Sequence, residues 1–242
     1  MNRKQVIREF LLMNLGTLLA VCVVYWRDIL DMIREFFLGV AALCSRKRRG
    51  GPVPPARRLV LMIILATLPL AAVLLVKDKV EALSSNTIFI GCALLVTGCL
   101  LFSSDRMARG RKTERTATMK DALLVGVAQA LAVVPGLSRS GTTISAGMFL
   151  GFDRPFAVRF SFLMSLPAVL GANILSLADA AQEGVAPDMI PVYAVGVAVA
   201  AVSGYFAIRL IKLLADKGRF GAFAYYCWAV GIVSIVASLI LR

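Results

Sequence analysis

Uncharged apolar stretches recur along this chain, separated by short charged segments. Six of them, residues 10–26, 59–76, 86–102, 160–178, 189–208 and 220–241, are each about long enough to cross a hydrocarbon core of ~30 Å as a helix. A shorter apolar patch, residues 36–43, follows Arg34 and Glu35 and reads as an interfacial helix. The pattern predicts an all-α polytopic membrane protein, with residues 1–242 forming a single membrane domain.

The segments between the spans alternate in charge. Residues 46–58 carry six Lys/Arg and no acid, residues 77–85 are balanced, and residues 103–121 carry six Lys/Arg against three acids. Residues 178–190 hold Asp179, Glu183 and Asp188 without a base, and residues 209–219 are basic again. Cytoplasmic loops collect Lys and Arg. On that rule the first, third and fifth loops face the cytoplasm, the second and fourth face outward, and both termini lie outside.

This assignment works only if residues 122–152 enter and leave the membrane on the same side. The segment is uncharged from residue 122 to 138, holds Arg139 in its middle, and is uncharged again from 140 to 152. A straight helix would carry Arg139 into lipid, which is costly. Pro135-Gly136 breaks the helix just before it. The segment therefore reads as a helix–break–helix hairpin, re-entrant from the cytoplasmic side. Irregular backbone at that depth is tolerated where protein covers it or where it lines a cavity.

Composition sharpens the picture in three ways. Apolar residues make up 59% of the 242 and charged ones 17%, against about a quarter in soluble domains. A water-soluble core is thereby excluded as the main architecture. Lys and Arg outnumber Asp and Glu by 27 to 14, a formal +13. The cytoplasmic loops account for that excess, so no nucleic-acid partner is expected. There is no histidine, which excludes a Ser-His-Asp triad, an HExxH zinc site and any imidazole base within this chain. The five cysteines show no CxxC spacing and read as small buried hydrophobes.

A weak internal echo is also present. Residues 11–20 read LLMNLGTLLA and residues 162–171 read FLMSLPAVLG, with Leu12/Leu163, Met13/Met164, Leu15/Leu166 and Leu19/Leu170 identical. The two copies would run in opposite directions across the membrane, as in an inverted-topology repeat. Residues 1–102 then form an incomplete first repeat and residues 121–242 a complete second one. The first repeat's counterpart of the 122–152 hairpin would precede Met1.

The chemistry concentrates in the string from Gln129 to Thr143, QALAVVPGLSRSGTT. It suggests anion binding. Gly136 and Gly141 let the backbone turn and approach a ligand closely. Thr142 and Thr143 are expected to cap the second half-helix, whose N-terminal N–H groups and dipole favour phosphate. Ser138 and Ser140 add hydroxyl donors. Arg139 offers a guanidinium that stays charged and binds oxyanions in bidentate fashion. Gln129 either bonds a ligand or packs against a neighbouring helix. The same string also fits an ordinary polar turn, with Arg139 reaching for headgroups. No Asp or Glu lies inside any span, so no metal ligand or buried general base is evident.

The string resembles the PGxSRSGxT motif of the undecaprenyl-diphosphatase (bacitracin-resistance) family. Arg159-Phe-Ser-Phe-Leu163, with Pro167 and Gly171-Ala172, is similar to the family's following segment, and NLGTLLAV in residues 14–21 to its first full transmembrane helix. The resemblance covers essentially the whole chain. It implies hydrolysis of undecaprenyl diphosphate to the monophosphate at the outer face of the bacterial plasma membrane, for lipid-carrier recycling in peptidoglycan synthesis. It further implies two inverted repeats, a divalent cation such as Mg or Ca, the lipid diphosphate and the bilayer as partners, and room for a homodimer. By motif match, Arg139 would bind the diphosphate as the catalytic cation, with Ser138 and Ser140 beside it. Pro135, Gly136, Gly141, Thr142 and Thr143 would shape the cradle, and Gln129 would face it.

One departure stands against this. The family also carries an N-terminal ExxxE followed by PVSSTGH, which supplies acids, a serine and a histidine, and no such motif occurs here. A start codon placed too late, a fragment, or a degenerate homologue would each account for it. The first two are favoured, and this polypeptide alone is expected to have little phosphatase activity. The competing functions are a polyisoprenyl-phosphate transporter or flippase, and an inactive binding subunit.

Overall fold

A computed structural model describes residues 3–44, 54–73, 86–107, 110–183 and 190–240. The loops at 46–53, 77–85 and 184–189, on which much of the charge alternation rests, lie outside these described residues. The described chain is all helical. In order it comprises α1 (Arg3–Val24), α2 (Trp26–Cys44), α3 (Pro55–Val73), α4 (Thr87–Arg106), α5 (Met119–Leu131), α6 (Arg139–Phe149), α7 (Arg154–Glu183), α8 (Ile190–Asp216) and α9 (Ala222–Ile240). Among the described residues there is no sheet, only an isolated bridge between Lys112 and Phe152.

Five stretches are long and apolar enough to cross a membrane: Pro55–Val73, Thr87–Arg106, Arg154–Ile174, Pro191–Asp216 and Ala222–Ile240. They match five of the six expected spans; four run further at one charged end, where Arg or Asp sits in a helical turn, and Ala222–Ile240 lies within its expected span. The first expected span falls on α1, a helix of 22 residues of which the apolar stretch Asn14–Val24 has described side chains. The interfacial helix expected at 36–43 is part of a longer element. α2 begins at Trp26 and includes Arg27, Asp28 and Glu35. Glu35 pairs with Arg57 at 3.0 Å and Asp28 with Arg159 at 2.7 Å.

Helix pairs make the bundle. α1 lies along α8, α4 along α9, and α3 along α5. Small residues permit the close approaches, since a Cβ on Gly16 would strike Ala200 of α8, and one on Gly91 would strike Ile235 and the Gly231 carbonyl of α9. Such contacts suit helices in lipid, where van der Waals packing replaces the hydrophobic drive. On the outside, α8 presents Val192, Val195, Val199, Val202 and Phe206 as an exposed apolar stripe. A stripe of that length on a helix of this hydropathy is a lipid-facing surface.

The described ion pairs gather at one end of the bundle. Arg57–Glu35, Lys112–Asp121, Arg154–Asp105 and Arg159 with Asp28 and Glu114 lie where α3, α5 and α7 begin and α4 ends. Asp105 also accepts the Gly221 N–H at 3.0 Å, which ties in the start of α9.

Candidate functional site

The site is built on the α5–break–α6 hairpin. Its two ends are tied together. The Lys112 N–H donates to the Gly151 carbonyl at 2.9 Å, and the Asp153 N–H returns to the Lys112 carbonyl at 2.9 Å. The segment that leads into the hairpin thus pairs with the segment that leaves it, so both ends lie at the ion-paired end of the bundle. α5 starts with a capping box. Thr118 accepts the Asp121 N–H at 3.1 Å and Asp121 accepts the Thr118 N–H at 2.8 Å. Asp121 also holds the Lys112 ammonium at 3.0 Å. Burial pushes its carboxyl up, but the Thr118 and Lys112 hydrogen bonds outweigh that and hold it below the usual carboxylate range.

The break itself is pinned on α4. Gly136 has φ +91°, a conformation glycine adopts without strain. A Cβ there would also meet the Ile90 carbonyl at 2.6 Å and Ala93 at 2.8 Å. Pro135 and Leu137 flank this turn, half-buried. The Ser138 N–H donates to Thr97 Oγ1 at 3.2 Å, and Thr97 Oγ1 donates to the Ala93 carbonyl at 3.1 Å. At about 1.5 Å per residue, Thr97 stands roughly 14 Å, and Ile90 roughly 24 Å, along α4 from Arg106. The hairpin tip therefore reaches between the middle of α4 and its Asn86 end, far from the ion pairs.

The cap of α6 differs from expectation. Ser138, not Thr142 or Thr143, is the N-cap: its φ of −69° and ψ of 113° are extended, and its hydroxyl accepts the Gly141 N–H at 3.2 Å. The helix begins at Arg139, which leaves both threonines inside it. Thr143 is turned away, with its hydroxyl donating to the Arg139 carbonyl at 2.9 Å and lying 2.6 Å from Ser161 of α7. A second hydroxyl contact, Ser145 to Ser104 at 3.1 Å, fixes α6 to α4. Ser140 is half-buried and Gly141 buried at the first turn.

Three polar groups of this hairpin are left over. Gln129 is fully buried, yet neither its amide oxygen nor its nitrogen has a hydrogen-bond partner. Thr142 Oγ1 and Arg139 Nη2 are likewise buried without partners. Arg139 Nη2 is covered by protein, while the residue as a whole is half-buried. Each buried orphan costs about 1–3 kcal/mol, and more for a charged group. This hairpin holds three such groups; others among the described residues are Tyr25, Arg58, Arg159 and Asn173.

Thr97, Ser104, Ser145 and Ser161 were not singled out from the sequence. Their only signal is a hydroxyl within an apolar helix, and it does not say which helix lies opposite. No set of residues that would hold a divalent cation is assembled among the described ones. Among them, no group of three or more His, Cys, Asp or Glu comes together, and the carboxylates at the hairpin's base are already engaged.

Comparison with known proteins bears on this hairpin. Residues 2–233 match the family described as Bacitracin resistance protein BacA. A protein of Methanosphaera stadtmanae named undecaprenyl-diphosphatase is 36% identical over 235 residues, covering 95% of this chain and 84% of that protein. One of the same name from Alkaliphilus metalliredigens is 38% identical over 232 residues, with 95% and 84% covered. One from Methanothermobacter thermautotrophicus is 47% identical over 188 residues, covering 74% of this chain and all of that protein.

The chain belongs to the BacA family. It is a multi-pass membrane protein of that family, and the family's relatives are named for a phosphatase activity. BacA relatives occur in archaea as well as bacteria, so the expected restriction to a bacterial membrane gives way to the broader statement.

Proposed function

We propose that this chain is an integral-membrane hydrolase that converts undecaprenyl diphosphate to undecaprenyl phosphate, returning the lipid carrier for peptidoglycan synthesis. The observation that carries the proposal is the set of unpartnered groups on one hairpin: Arg139 Nη2, the Gln129 amide and Thr142 Oγ1. A diphosphate supplies acceptor oxygens for all three donors, and the amide oxygen of Gln129 suits a protonated phosphate or a water. The α6 N-terminus adds its unpaired N–H groups and dipole. Phosphoryl transfer is catalysed mainly by positioning and by stabilising charge on the phosphorus oxygens. In this reading Arg139 binds and stabilises that charge. Ser138 and Ser140 complete the cradle around the turn that Pro135 and Gly136 create. Gly141 and Thr142 shape its floor, and Thr143 braces α6 from behind through Ser161 of α7.

The hairpin is proposed to be re-entrant from the cytoplasmic side, with its tip open to the outer face, in the second of two inverted repeats. The tied ends at Lys112 and Asp153 and the position of the tip along α4 support this. A homodimer and a divalent cation stay expectations.

Arg139→Ala tests the site. Phosphate release from undecaprenyl diphosphate should fall by about a hundredfold or more, the scale on which losing one preorganised charge-stabilising group acts. Near-wild-type hydrolysis would remove Arg139 from the site. A second reading, transport of a polyisoprenyl phosphate, draws on the same cradle. Binding of the lipid diphosphate without phosphate release identifies that reading, or an inactive member of the family.

A further inference from the structure

A groove of about 730 Å³ opens between the end of α1, the start of α2 and the last turns of α8. Val23, Val24, Phe206, Leu210 and Leu213 make apolar walls, with Trp26 at the rim. Arg209 and Lys212 line it as cations, and Asp216 as its one acid. Neither cation has an ion-pair partner among the described residues, and Asp216 is unpaired with them. Both stand over aromatic rings instead. The Arg209 guanidinium carbon lies 4.9 Å from the Tyr205 ring centre and Lys212 Nζ 5.1 Å from that of Tyr25. Arg27 likewise lies 5.6 Å over Trp26. The rings hold the positive charges near the groove without neutralising them.

Depth decides what the groove suits. It lies at the ion-paired end of the bundle, where α1 meets α2 and α8 ends. Above the cations, α8 continues as the exposed apolar stripe through Phe206, Val202 and Val199. A ligand held here meets Arg209 and Lys212, against the single acid Asp216, at the interface and an apolar face directly above them. A soluble phosphate would use only the first. A zwitterionic lipid would gain little from the charges.

We propose that an anionic glycerophospholipid binds in this groove, its phosphate headgroup between Arg209 and Lys212 and one acyl chain along the α8 stripe. Basic pockets between membrane helices on the cytoplasmic side take such headgroups. The occupant acts apart from the α5–α6 hairpin.

The test is native mass spectrometry of the full chain in detergent, titrated with phosphatidylglycerol or phosphatidylcholine. The wild type should retain one phosphatidylglycerol in preference to phosphatidylcholine. Arg209→Gln with Lys212→Gln should reduce that preference by about tenfold or more, as expected when two basic residues leave an anionic headgroup. Lys120→Gln with Lys217→Gln, at the same end but outside the groove, should leave it unchanged. If the glutamine pair does not fold, Arg209→Lys with Lys212→Arg is used, and should keep the preference. Equal retention of both lipids, an unaltered preference in the glutamine pair, or displacement by free glycerol 3-phosphate or by a polyisoprenyl phosphate would each overturn the proposal. Diphosphate hydrolysis, read in parallel, should not differ between wild type and the glutamine pair. Its loss in Arg139→Ala concerns the hairpin alone, so the two readings fail separately.

Discussion

Gln129 shows how one residue separates binding from packing. A glutamine that merely packed between helices would bond one of them. This one is fully buried and bonds neither with its oxygen nor with its nitrogen. Replacing an orphaned polar group by an apolar one of similar shape is close to neutral or stabilising. Gln129→Leu should therefore leave the melting temperature in detergent unchanged or raised. Its kcat/KM for the lipid diphosphate should fall about tenfold to a hundredfold, the worth of a hydrogen bond to a charged group. A lowered melting temperature with unchanged kinetics would make Gln129 a packing residue. Ser138 is the opposite case, because its hydroxyl already caps α6. Ser138→Ala should cost about 1 kcal/mol of stability, measured by thermal denaturation, through the lost cap. The motif itself was legible residue by residue. The assignment of the cap to Ser138 was not, because four hydroxyl residues stand within six positions and only the backbone angles choose among them.

At the scale of elements, the hairpin depends on its base as much as on its tip. Asp121 closes the capping box of α5 and holds Lys112, whose backbone bridges Gly151 and Asp153. Its carboxyl lies below the usual carboxylate range once folded. A group with a depressed folded value stabilises the native chain at every pH above its unfolded value of about 3.9. That contribution is lost as the pH falls further, through the folded value. The melting temperature of wild type should therefore exceed that of Asp121→Asn by a constant margin between pH 5 and 7. The margin should close on acidification below about pH 4. A margin that widened in acid would contradict the ion pair. This clamp joins residues 112 and 121 across the charged loop. The sequence showed only that the loop was basic, because hydropathy records charge and not partners.

For the whole molecule, the described ion pairs lie at one end and the hairpin tip reaches toward the other. On the positive-inside rule the ion-paired end is expected to face the cytoplasm. In a cysteine-free background, Lys217→Cys should react with a membrane-impermeant thiol reagent only after the membrane is opened. Asn86→Cys, at the exposed start of α4, should react in intact cells. The reverse pattern would invert the topology and turn the hairpin tip to the cytoplasm.

Hydropathy alone located five of the crossings, the broken helix and the one cation within it, because lipid penalises charge and unpaired backbone so strongly that few readings survive. It left open whether Arg139 was a ligand-binding group or a snorkelling one. Tertiary packing covers one of its terminal nitrogens, Nη2, and leaves Gln129 and Thr142 likewise without partners. It also decided that Thr97, 41 residues before Ser138 and without a motif of its own, accepts the Ser138 N–H. These are facts of which helix lies against which. A one-dimensional pattern of hydrophobic and polar positions carries the inward and outward face of a helix, but not the identity of the neighbour that face meets.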